Sequence, residues 1–488
     1  MANPKGRLTK SGYVKGLQCD KLFWIYQNRR ELLPEPDAST QARFDQGQIV
    51  GDLAKTLYPD GIEIDWMGAD DGGVARTRAA LLNRKPIFEA VIQHGSLYAR
   101  PDILKPAPGG LWDLIEVKSS SKVKNDHIPD VAFQKHVYEK SGVRIRRCFV
   151  MHVDTSYVRK GALECGKLLH KEDVTGDVEE ILGDVRFEAR RMLSVMSKEC
   201  CPEVQVGDQC KDCDLYDECW DFLPEHHVFT LLRGGQKSFD LMDTGILRIK
   251  DIPGDFQLTP KQSIQVACEK TGKPHVEPGK IQSFLKQLEY PLYFLDFETF
   301  MAAVPPYDEM SPYEQIPFQY SLHAVPSPGA RAVHQSYLSN GKGDPRPEVL
   351  GALKTQLDRT GSIIAYNAAF EIRVLKSCAK HFPKYEKWLE FILPRFVDLL
   401  VPFREFHYYH PNQDGSASLK AVLPALTSRS YEGLEIADGE AASLRFRDMA
   451  FGNLPAAEKS KIRKALEIYC HQDTEGMIDI LKALERLC

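Results

Sequence analysis

The stretch YPLYFLDFETF, residues 290–300, constrains this chain more than any other. Its apolar and aromatic density reads as a buried core strand, yet Asp296 and Glu298 sit inside it. An unpaired carboxylate in a core costs several kcal/mol, so the two acids need a reason to be there. Alternation along a strand puts Asp296 and Glu298 on one side and Phe297 on the other. Carboxylates that close repel unless a cation lies between them. The strand therefore reads as one edge of a metal cradle, with a structural ion pair as the alternative.

Two further signals follow in order. AYNAAFEIRVL offers Asn367, Phe370 and Glu371 just after a strand, at a helix start. YCHQDTEGM then offers Tyr469 and Asp473, four apart and so on one helix face. Brought together, Asp296, Glu298, Glu371 and Asp473 can hold two Mg²⁺ or Mn²⁺ ions for in-line attack of water on a terminal phosphodiester, with Tyr469 orienting the water. The series resembles the DEDD exonucleases of the DnaQ/RNase D superfamily, which implies an RNase H-like fold, and its Tyr-x₃-Asp resembles their y-subtype. Glu371 departs from that pattern, in which most members carry aspartate; the longer side chain shifts the reach by one methylene. His471 lies only two residues before Asp473 and does not fit the h-subtype. Asp398 and Lys420 are candidate supporting residues, although a strand-end acid and a helix-surface lysine are the readings favoured. FREFHYYHP reads as aromatic packing, with base stacking as the alternative.

A second constellation lies upstream. RPDIL and IEVKSS place Asp102 on one strand and Glu116 and Lys118 on the next, the last two pointing to the same side. Two carboxylates suit a hard divalent cation, and a lysine beside them can orient water or balance charge on the phosphate. Gln134 and Tyr138 follow on one helix face, positioned to reach DNA. These five residues resemble the RecB-like branch of the PD-(D/E)xK nucleases, including its QxxxY helix. Glu89 and His94 are loose candidates for the upstream acid or histidine that completes such a site.

Twelve cysteines are many for a reducing compartment, where metal or cluster binding is a better expectation than disulfides. Cys210-x₂-Cys213-x₅-Cys219, with Cys19 far upstream, makes a four-thiolate set suited to a 4Fe–4S cluster or to Zn²⁺. The arrangement resembles that of the iron–sulfur RecB-like nucleases, which implies the cluster. Cys200 or Cys201 is an alternative to Cys210; the remaining cysteines read as buried hydrophobes or free thiols.

At 488 residues the chain is too long for one ordinary core. With 43% apolar and 27% charged residues it reads as soluble and globular. No apolar run is long enough to span a bilayer, and MANPKGRLTKSGYVKG lacks the apolar segment of a secretory signal; the cytoplasm is the expected compartment. A net charge of −5 argues against a protein coated in positive charge, while RIRR (Arg144 to Arg147) is a candidate local basic patch. The expected architecture is α/β in two domains: a restriction-endonuclease-like core with a cysteine-ligated cluster over residues 1–222, a connector over 223–288, and an RNase H-like exonuclease over 289–488. LDFETF, IPFQYSLH and YCHQDT extend the resemblance over nearly the whole chain, to a bacterial and archaeal family of two-nuclease fusions. That resemblance implies a metal-dependent nuclease that degrades single-stranded DNA and trims 3′ ends, in repair or defence. An RNA substrate and a binding scaffold with a silent domain are the alternatives.

Overall fold

The computed structural model describes residues 6–65 and 72–488 and is mixed α/β. It divides into two compact units, Met1–Trp220 with Ala302–Glu314, and Asp221–Met301 with Gln315–Cys488. The segment expected as a separate connector, 223–288, is grouped with the second unit. No helix among the described residues is long and apolar enough to cross a membrane.

The first unit is built on a six-stranded mixed sheet. Its central strands are β1 (Ile103–Pro106), β2 (Trp112–Val117) and β3 (Ile145–Val153). β1 pairs antiparallel with β2, and β2 pairs parallel with β3. The parallel pair needs a crossover, and helix α1 (His127–Lys140) provides it. α1 is buried on nearly every side, against the small sheet containing Ile92–His94 and Leu97–Ala99 and against helix α2 (Thr175–Met196). A second apolar cluster in this unit joins Val50, Phe88, Ile115 and Phe149 to Ala303 of the 302–314 segment. Arg159 holds that segment through the carbonyls of Pro305 (2.8 Å) and Pro306 (3.0 Å), and the Tyr313 hydroxyl donates to the Ser119 carbonyl.

The second unit is built on five strands: β4 (Leu292–Phe300), β5 (Ile316–Val325), β6 (Val333–Leu338), β7 (Ile363–Ala365) and β8 (Phe396–Asp398). Their order is β6-β5-β4-β7-β8. β4 and β5 pair antiparallel, as do β5 and β6, whereas β4, β7 and β8 run parallel. The opening strand is therefore central, and Leu292, Tyr293, Phe294 and Leu295 are all buried, as expected of a strand covered on both faces. Helices α3 (Ala368–His381), α4 (Leu419–Leu426) and α5 (Ala456–Glu485) complete the site-bearing part. α5 packs on β4 and β5, and Gln319 of β5 donates to the Leu466 carbonyl at 2.9 Å. Edge strand β6 is mostly exposed.

Candidate functional sites

In the second unit Asp296 and Glu298 emerge from the same face of β4, just before a register shift between Glu298 and Thr299. Such a bulge bends a strand and re-aims its side chains. Ligand atoms of Asp296, Glu298 and Cys470 lie within 4.8 Å of one another. Asp473 comes from α5 and Glu371 from the first turn of α3. Glu298, Glu371 and Asp473 are each buried. Burial, and then repulsion from Asp473, Glu298 and Glu371, pushes the Asp296 carboxyl well above its usual range. Burial and Asp473 do the same to Glu298. Burial raises Glu371 to about 8 and Asp473 to about 6, the latter held back by the Tyr431 hydroxyl and Lys420. Glu371 Oε2 is buried with no hydrogen-bond donor.

The surroundings explain how the chain holds this array. Asn367 takes a left-handed conformation (φ 70°), which asparagine tolerates better than most residues, and starts α3 so that Glu371 turns inward. Asp398 accepts from the Asn367 and Leu400 backbone amides at 2.9 and 3.1 Å, so it shapes the turn beneath Glu371. Lys420, for which the sequence favours a surface lysine, stands 5.8 Å from the ring centroids of both Tyr431 and Tyr469. Its charge acts on Glu298 and Asp473. Tyr469 is buried beside the acids, and burial with Asp473 drives its hydroxyl far above the ordinary range. Tyr431, which donates to Asp473 Oδ1, went unnoticed in the sequence because its loop has no periodic pattern. Tyr408 and Tyr409 are core residues, in line with aromatic packing.

In the first unit Asp102, Glu116 and Glu89 line one cavity of about 400 Å³, together with Lys10, Lys55 and Arg100. His94 is exposed and does not line it. Asp102 Oδ2 accepts from the Val117 amide at 2.6 Å. Burial and the neighbouring Glu116 raise Asp102 to about 7. Burial also pushes Glu116 upward, but the ammonium groups of Lys10 and Lys118 outweigh it and hold the carboxyl well below its usual range. Lys118 Nζ donates to Glu116 at 2.9 Å and to Asp130 at 2.6 Å. Lys10 pairs with the same Glu116 oxygen. Burial opposes the charge on Lys118, yet Glu116 and Asp130 keep it protonated.

Gln134 and Tyr138 sit differently from the expectation that they reach toward DNA. Both are fully buried. Gln134 donates to Glu116 (2.9 Å) and Asp130 (3.0 Å), and Tyr138 donates to the Ala90 carbonyl. They brace the site from behind. Lys10 and Asp130 were missed: Lys10 lies 106 residues from Glu116 and Asp130 carries no motif signal. The RIRR arginines are engaged within the unit, Arg146 with Asp113 at 2.6 Å and Arg147 with Asp173 at 3.5 Å.

Cys19 sits between helices Lys10–Gln18 and Asp20–Asn28, and the segment carrying Cys210, Cys213 and Cys219 lies beside it. Gln18 donates to the Gln209 carbonyl (2.9 Å), Lys21 pairs with Glu218 (3.0 Å) and Trp24 donates to the Lys198 carbonyl (3.0 Å), which joins the two segments. Cys213 feels the charge of Cys19 and Cys210, and Cys201 that of Cys19 and Cys219. Cys200 is exposed. Five thiols thus share one neighbourhood.

Comparison with known proteins adds little chemistry. A family profile described as a domain of unknown function (DUF2779) matches residues 293–418, from β4 to just before α4. The "Uncharacterized protein MG366 homolog" of Mycoplasma pneumoniae is 26% identical over 221 residues, 41% of this chain and 33% of that protein. The "Uncharacterized protein UU173" of Ureaplasma parvum serovar 3 is 22% identical over 346 residues, 65% of this chain and 49% of that protein. The chain thus spans between a third and a half of the length of these relatives. The structure titled "Crystal structure of SSO0001" aligns with 46% of this chain and 90% of its own, at 11% identity and a TM-score of 0.25; a score that low implies nothing about fold.

Proposed function

We propose that the chain is a metal-dependent nuclease with two active sites, acting on single-stranded DNA. The carrying observation is the second-unit array: buried carboxylates from β4, α3 and α5 that repel one another, one of them with an oxygen left without any donor. A purely structural cluster would be satisfied by protein donors, because an unpaired buried acid is costly. The strand order, three antiparallel strands followed by two parallel ones, supports an RNase H-like exonuclease fold.

Asp296, Glu298, Glu371 and Asp473 would hold Mg²⁺ or Mn²⁺, whose chemistry is to polarise the phosphodiester and make bound water acidic. The chain's own residues do the rest. The Tyr431 hydroxyl fixes Asp473, Lys420 balances part of the negative charge, and Tyr469, protonated at any working pH, orients water by donating or accepting a hydrogen bond. In the first unit Asp102, Glu116 and Glu89 are the oxygen donors facing the cavity. Lys118 and Lys10 act as fixed positive charges toward phosphate rather than as bases.

The reading extends to the thiols, for which a cluster is proposed with zinc as the alternative. Four thiolates suit either group, and the choice of a cluster rests on the resemblance to iron–sulfur RecB-like nucleases. Cys19, Cys210, Cys213 and Cys219 would hold a 4Fe–4S group that joins the chain's early helices to the end of the first unit. Anaerobically purified protein should be brown and contain iron; colourless protein with stoichiometric zinc would overturn this assignment.

The deciding assay uses matched end-labelled DNA and RNA single strands with wild type, Lys118→Ala, Asp296→Ala and the double variant. Distinct products lost from each single variant establish two working sites. A variant that leaves every product unchanged makes its unit a binding module, faster loss of the RNA strand makes the enzyme a ribonuclease, and cleavage that survives EDTA ends the metal reading.

A further inference from the structure

Three histidines outside the proposed chemistry meet beside it. His323 lies on β5, His334 opposite it on β6, and His471 on α5. One ring nitrogen from each lies within 4.8 Å of the others. The ring centroids are 4.4 to 4.8 Å apart, with His471 nearly perpendicular to both strand histidines. Apolar rings would fill this space at lower desolvation cost, since every imidazole brings polar nitrogens that need partners.

The hydrogen bonds suit ligation. His323 Nδ1 is 2.8 Å from the Thr474 hydroxyl, and His334 Nε2 is 2.9 Å from the Ser321 hydroxyl. Each bond fixes a ring and leaves the other nitrogen for a metal, the outer support expected of a ligating histidine. A cavity of about 610 Å³ opens onto the three rings and is lined also by Glu475 and Asp479. Glu475 stands 3.8 Å from His471 Nδ1 while pairing with Arg429 at 2.7 Å.

We propose that His323, His334 and His471 form a three-imidazole site for a borderline divalent transition-metal ion, Zn²⁺ foremost, with a fourth position open to the cavity for water or a small ligand. Nitrogen donors select Zn²⁺, Ni²⁺ or Cu²⁺ over Mg²⁺ and Ca²⁺, so the site is chemically distinct from the carboxylate array. It ties β5, β6 and α5 together. Thr474, next to Asp473 in sequence, also contacts the Ser321 hydroxyl (2.6 Å), and Ser321 is the cross-strand partner of Asp296. An ion bound here stiffens the frame that holds two of the proposed catalytic acids.

The test is equilibrium dialysis of metal-stripped full chain against Zn²⁺ with excess Mg²⁺, comparing wild type with His334→Ala, on an exposed edge strand, and with His471→Gln. Melting curves report folding and the Zn²⁺-induced shift. The proposal expects each variant to bind one equivalent fewer, or at least about tenfold more weakly, and to lose the Zn²⁺-induced rise in melting temperature that wild type shows. Thiol-bound zinc is common to all three proteins and cancels in the comparison. Equal Zn²⁺ binding by wild type and both variants, or a wild-type melt indifferent to Zn²⁺, overturns it.

Discussion

In the first unit Glu116 lies between the ammonium groups of Lys10 and Lys118, with Gln134 donating to its other oxygen. In the second unit Asp296, Glu298, Glu371 and Asp473 face mainly one another, with Lys420 as the nearby positive charge. Burial is similar at the two sites, yet Glu116 is pulled below the usual carboxylate range and the second-unit acids are pushed above it. One site is charge-balanced by protein, whereas the other has Lys420 as a partial counter-charge and keeps its acids raised. On the proposed reading the first would persist without metal, and a bound cation would relieve the repulsion in the second.

The largest effect that would break this contrast is on activity and stability together. Glu298→Gln should cost the second unit's cleavage at least about a hundredfold, more than is typical of an outer-shell change. It should also raise the metal-free melting temperature, by a few degrees at about 2–4 °C per kcal/mol for a unit of this size. Glu116→Gln should instead destabilise the first unit by about 1–3 kcal/mol, because it removes the carboxylate that half-buried Lys10 and Lys118 share. Urea titration in EDTA checks both; shifts of the same sign would refute the contrast.

The pH dependence sharpens it. Asp473 and Glu371 have folded-state pKa values of about 6 and about 8, above the ordinary carboxylate values of about 4. Between those limits the folded state binds more protons than the unfolded one, so stability falls as pH rises. Metal-free protein should therefore melt lower at pH 8 than at pH 5, and Mg²⁺ should restore more at pH 8. An Mg²⁺ effect equal at both pH values would show that the acids are not held protonated.

Smaller effects fall on the supports. Lys420→Met should reduce second-unit cleavage by about tenfold to a hundredfold and leave first-unit products untouched. Tyr431→Phe should cost about tenfold in the same assay. Asp398→Ala, which frees two turn amides, should cost about 1 kcal/mol, measured by urea titration.

The helices carrying Glu371, Asp473 and Gln134 were legible from spacing, and β4 spans Leu292–Phe300 as its apolar density suggested. Edge strand β6 was not, because VHQSYL is largely exposed and lacks a buried face to set an alternation. Asp296, Glu298 and Glu116 were legible because carboxylates inside apolar strands are anomalous, and Glu371 and Asp473 because they follow in motif order on helices. Lys10 and Tyr431 were not, since each is ordinary in its local sequence and is brought to its acid only by folding. Gln134 and Tyr138 were noticed but aimed wrongly. An amphipathic helix would have shown them to solvent, whereas α1 is covered almost all round and must satisfy its polar groups internally.

The chain leaves the first unit at Trp220, returns to it for Ala302–Glu314 and leaves again. The returning stretch supplies Ala303 to an apolar cluster of that unit and the Tyr313 hydroxyl to the carbonyl next to Lys118. A cut at the obvious boundary therefore yields an N-terminal fragment with a hole in its core, and any loss of function in it would be misread as dependence on the missing second unit. Inheritance faces the same restriction. Recombination at one breakpoint cannot hand on either half whole, so the pair is expected to travel and diverge as one gene rather than as interchangeable modules.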